Sequence, residues 1–93
     1  MSIENIYCIY DKKAEAFPAQ PYFARTDGIA IRAFTDLANR PDNDIGQHPE
    51  DYSLFRVGTY DTLRGLVAPV MKDGHQIGNV HLVDAFTLVK ETK

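Results

Sequence analysis

The sequence predicts an α+β fold: a small antiparallel or mixed sheet of three or four strands with one helix packed on it, in the order strand, helix, strand, strand. Three observations carry this expectation. Residues 3–10 are dense in β-branched and aromatic side chains. Residues 27–39 place apolar side chains at helical spacing. Residues 52–71 hold two strand-like runs on either side of a turn that ends in glycine.

Taken in order, the first strand puts Ile6, Cys8 and Tyr10 on one face and Tyr7 and Ile9 on the other. Apolar residues on both faces suit a central or doubly covered strand. Asp11-Lys12-Lys13 ends it, and Ala14 to Phe17 adds a short extended or helical piece. Pro18 and Pro21 then stiffen a connection and argue against helix. Thr26 and Asp27 are N-cap candidates for a helix from Asp27 to Asn39. Its buried stripe is Ala30, Phe34, Leu37 and Ala38, and Asn39 and Pro41 stop it. Residues 40–51 read as a long polar loop. Tyr52 to Tyr60 is a second strand, Asp61 to Gly65 a turn, and Leu66 to Met71 a third strand, in which Pro69 signals an edge position or an early end. Lys72 to His75 is a further turn, and Val80 to Val89 is apolar enough to pack as a strand. The helix is expected to bury Ala30, Phe34 and Leu37 against Ile6, Cys8, Leu54 and Val57.

The totals suit one domain spanning 1–93, with a modest core. The net charge of -3 gives no basic excess, so nucleic-acid contact must be local or weak. The single cysteine, Cys8, excludes an internal disulfide and favours a reducing compartment. Beginning at Met1 and without a basic, apolar leader, the chain reads as a translated product with no secretory signal and no membrane span.

Several short pieces fall in a specific order and spacing. They are Tyr10-Asp11 with Lys13-Ala14-Glu15-Ala16; Ala30-Ile31-Arg32-Ala33-Phe34 with Asp36 and Asn39; and His48-Pro49-Glu50-Asp51-Tyr52 with Leu54-Phe55, Gly58, Tyr60-Asp61 and Gly65. Across roughly residues 6 to 65 the chain resembles the small nonstructural protein of gokushovirus-type microviruses, tailless phages with single-stranded DNA. The resemblance implies a phage protein of the host bacterial cytoplasm, absent from the mature virion. By genome position that family is likened to the microvirus factor that acts when single-stranded DNA is made and packaged. It carries over no catalytic residues. The partners expected with that role are single-stranded DNA, weakly bound, or a phage replication or procapsid protein; the modest core leaves room for a homo-oligomer.

The remaining candidates are weighed from the residues. His48, Glu50 and Asp51 form a conspicuous polar cluster, but no second cluster of ligand spacing accompanies them, so a capped turn is favoured over a metal site. His75 and His81, six positions apart, would lie about 20 Å from one another on a strand and cannot share a metal. Cys8 sits inside an apolar strand and reads as a small buried hydrophobe. Asp11, Lys13 and Glu15 have the residue types of a metal-dependent nuclease, which is the least favoured reading. No catalytic motif is found, so no enzyme activity, cofactor or metal is expected. Aromatic residues beside cations can stack on unpaired bases. Tyr22-Phe23 with Arg25, and Tyr10 with Lys12 and Lys13, have that pattern, while Phe34 and Phe55 are set aside as core. The DNA-binding residues expected are Lys12, Lys13, Tyr22 and Arg25. The function expected is a non-catalytic accessory protein of single-stranded DNA synthesis and packaging, with a host-directed inhibitor of a bacterial protein as the alternative.

Overall fold

A computed structural model describes residues 2–90; Met1 lies outside the described residues. The elements run β1 (Ile3–Asp11), β2 (Tyr22–Ala24), α1 (Asp27–Ala38), α2 (Asp44–Gln47), β3 (Tyr52–Asp61), β4 (Leu66–Lys72), β5 (His75–Gly78) and β6 (Val80–Asp84). Two 3-10 turns, Pro49–Asp51 and Ala85–Leu88, precede β3 and follow β6.

All six strands join one antiparallel sheet in the order β2-β1-β3-β4-β5. β3 is its axis. One edge pairs with β1 from Tyr52 to Asp61. The other edge is shared: Ser53–Arg56 pairs with β6, and Gly58–Asp61 pairs with β4. Pairing of β3 with β4 ends at Gly58 and Pro69, as expected of a residue with no N–H to donate. From Val70 onward β4 pairs only with β5, forming an arm that leaves the body of the sheet. Asp73 and Gly74, at φ of 52° and 81°, close that hairpin as a two-residue turn.

This corrects the expected sheet of three or four strands with one packed helix. Two strands, β2 and β5, were hidden, and the last was drawn too long, for separate reasons. β2 lies in the segment read as a proline-stiffened connection; Pro21 immediately precedes it, so its missing N–H costs no ladder bond. β5 is four exposed residues with no alternation to betray it. β6 stops at Asp84, after which Ala85–Leu88 winds into a 3-10 turn, so the single strand expected to reach Val89 is half strand and half turn. The polar stretch 40–51 is also ordered: Asn43 caps α2 by accepting from the Gly46 N–H at 3.0 Å.

α1 forms where expected. Thr26 Oγ1 accepts from the Ile29 N–H at 3.2 Å. Asn39 ends the helix and ties it down, donating to the carbonyls of Thr35 and Leu88 and accepting from the Lys90 N–H. Ala30, Phe34 and Ala38 are buried on the sheet, and Leu37 is half-buried at one flank. The strand face they meet differs from the expectation. The core joins Tyr7, Ile9, Ala24, Leu54 and Ala85 to the helix, while Ile6 and Cys8 lie on the opposite face. Both faces of β1 are apolar, so alternation alone could not choose between them. Val57 also has no partner on β1: Ile6 pairs with Gly58 and Tyr7 with Arg56, which resets the alternation of β3.

Candidate nucleic-acid interface

α1, α2 and both 3-10 turns contact one another on the Tyr7–Ile9 side of the sheet. Strand alternation and register place Ile6, Cys8 and Tyr10 of β1, Phe23 of β2, Phe55, Gly58 and Tyr60 of β3, and His81 of β6 on the other side. No helix of the described residues covers that face.

Aromatic rings gather there in two groups. At one end Tyr10, Phe17 and Phe55 pack mutually, with ring centroids 4.9, 5.9 and 5.6 Å apart, and His81 stands edge-on to Phe55 at 5.3 Å. At the other end Phe23 meets Tyr60 edge-to-face at 5.5 Å. Tilted and edge-on packing is the arrangement that aromatic quadrupoles prefer. Phe23 is 50% exposed and Phe17 37%, so neither is used up by the core. Between the groups, Ile6 is 8% exposed and Cys8 is half-buried. Burial pushes the Cys8 thiol pKa up, which disfavours a nucleophilic thiolate.

The expected binding residues fall into two sets. Lys12, Lys13 and Arg25 are exposed; the first two follow the Tyr10 end of the face and the third follows Phe23. Lys12 leans on Asp84 at 3.7 Å and on the Glu50 carbonyl at 3.4 Å. The Lys13 backbone N–H is held by Asp11 Oδ1 at 2.9 Å, which fixes the turn and leaves the side chain outward. Among the described residues, neither Lys13 nor Arg25 forms a salt bridge. Tyr22 is elsewhere. It lies with Tyr7 on the helix side, ring centroids 5.8 Å apart, and its hydroxyl donates to the Ala30 carbonyl at 3.0 Å. Burial pushes its pKa up to about 12. Its neighbour Phe23 takes the outward position. Phe55, set aside as core, packs in the open-face group.

Sequence reasoning thus missed Phe17, Phe55, Tyr60 and His81 as members of this face. Period-two alternation held the signal in β2, where Tyr22 and Ala24 point one way and Phe23 the other, but only once the segment is read as a strand. His81 Nε2 also donates to Asp84 Oδ1 at 2.8 Å, and Ser53 donates to the same oxygen. These bonds hold the Asp84 carboxyl below its ordinary pKa.

His48, Glu50 and Asp51 bring one ligand atom each within 4.8 Å of one another. Asp51 also accepts from the Lys12 N–H through its carbonyl, and its own N–H donates to the His48 carbonyl, so the group sits on a hydrogen-bonded turn. Among the described residues no helix is long and apolar enough to cross a membrane.

No curated protein and no solved structure matches the chain. The family described as Phage ORF5 protein matches residues 4–86, nearly the whole chain. The chain therefore belongs to the Phage ORF5 protein family.

Proposed function

We propose that this phage protein is a non-catalytic accessory factor of single-stranded DNA synthesis and packaging in the host bacterial cytoplasm, and that it contacts single-stranded DNA through the open face of its sheet. One observation carries the reading: two groups of rings share an uncovered sheet face, with lysines at one end and an arginine at the other. Ile6 and Tyr10 mark the groups along β1, about 13 Å apart at the rise of a strand, so a strand of a few nucleotides reaches both. Bases stack on the rings, and Lys12, Lys13 and Arg25 meet the phosphates. The resemblance to the gokushovirus nonstructural protein supplies the DNA context.

The net charge of -3 sets the strength. Few cations mean few released counterions, so affinity is modest and its salt dependence shallow. The test is fluorescence anisotropy of a labelled oligothymidine titrated with protein at low and at physiological salt. Saturable binding, preferred over duplex, is expected. Phe23→Ala should weaken it about ten-fold, within the range for one lost base stack. No binding at high micromolar protein and low salt would remove the reading.

A further inference from the structure

The opposite side of the molecule carries a second surface of different chemistry. Where α1 ends, α2 folds back against it and leaves a cleft of about 350 Å³. Ile9, Pro18, Leu37, Ile45 and Tyr52 line it, and Asp44 stands among them. The volume is at the small end for ligand sites and the walls are mainly apolar, which suits one or two large side chains. The charge around it is one-sided. Residues 41–51 hold four carboxylates, Asp42, Asp44, Glu50 and Asp51, and no lysine or arginine. Two cations border the segment: Arg40 pairs with Asp42 at 2.9 Å, and Lys12 is shared between Asp84 and the Glu50 carbonyl, which leaves Asp44, Glu50 and Asp51 without a salt bridge among the described residues. Tyr52 senses the result, since burial and then the carboxylates of Asp11, Asp44 and Asp51 push its phenol pKa up.

We propose that this cleft docks a segment of a partner protein in which a large apolar side chain is flanked by lysine or arginine. The apolar side chain fills the space between Leu37, Ile45 and Tyr52, and the cations meet Asp44 and its acidic neighbours. Complementarity of charge selects this occupant over nucleic acid, whose phosphates the same carboxylates repel. Ile9 and Tyr52 point away from Tyr10 and Phe55, so the cleft and the aromatic face lie on opposite sides of the sheet and can be filled together. The protein then bridges single-stranded DNA and a basic protein segment. The cleft reading does not depend on the DNA reading.

The test is a nuclear magnetic resonance titration of labelled protein with the synthetic hexapeptide Lys-Lys-Phe-Leu-Lys-Lys. Two control peptides replace its lysines by glutamate or its Phe-Leu by Gly-Ser. Saturable amide shifts at Leu37, Asp44 and Ile45 are expected with the first peptide and neither control. Asp44 is exposed, so Asp44→Lys should keep the fold and weaken peptide binding at least ten-fold. It should leave oligothymidine anisotropy unchanged or slightly stronger, which separates failure of the cleft from failure of the DNA face. Equal binding of the glutamate peptide would make the cleft a general apolar site and overturn the proposal. So would shifts confined to the aromatic face, no shifts at millimolar peptide, or shifts at the cleft that appear on raising protein concentration alone, the mark of a second copy.

Discussion

Single residues divide here between holding the fold and leaving surface free. Phe34 does only the first. It is fully buried beneath α1, and Phe34→Ala should cost about 3–5 kcal/mol in urea denaturation, as truncation of a core aromatic does. Phe23, one position beyond the buried Tyr22, does the second. Its removal should leave the urea midpoint nearly unchanged while weakening DNA. Thr26→Ala removes the α1 cap and should cost about 1 kcal/mol. Asp84 gives a pH signature. Its folded pKa is depressed by Ser53 and then His81, so its contribution is present above the ordinary value of 3.8 and is lost as pH falls below it through the folded value. Asp84→Asn should therefore be less stable than wild type at pH 7, with the gap closing below about pH 4 in denaturation curves. At this scale the sequence was informative about helix residues, because Ala30 and Phe34 repeat with a period that only one face satisfies. It was uninformative about Tyr22 against Phe23, because adjacent strand residues point oppositely and either is aromatic.

The elements show why the helix was legible and the sheet was not. α1 has a cap, a stripe and a stop within its own residues. β2 and β5 have three and four residues, and their existence depends on β1 and β4 lying beside them. The bulge at Val57 is likewise invisible locally, yet it decides which side of β3 follows the helix. α2 depends on Gly46, because a Cβ there would stand 1.6 Å from the Arg40 carbonyl oxygen and 3.0 Å from that of Leu37. Gly46→Ala should displace α2 from the end of α1 and lower stability by about 1–3 kcal/mol in thermal melts, as overpacking does. Because Ile45 and Asp44 move with it, the same variant should lose hexapeptide binding and keep oligothymidine binding.

As a whole the molecule is a half-covered sheet. Helical pieces close one side over Tyr7, Ile9 and Leu54, and the other side is left to rings. A chain this small has one modest core, and spending a helix on one face leaves none for the second. The acidic 41–51 segment flanks the helix-side cleft, and Lys13 and Arg25, which form no salt bridge among the described residues, stand at the two ends of the open face. The candidate site was partly legible: the cations were picked out by the aromatic residues beside them, whereas the face that the rings share needed the sheet. Whether single-stranded DNA lies on that face can be read from amide-shift mapping of labelled protein with an unlabelled oligothymidine. Shifts at Phe23, Phe55, Tyr60 and His81 are expected, with Leu37 and Ile45 unmoved. Shifts centred on Leu37 and Ile45, or none at a protein concentration well above micromolar, would contradict that placement.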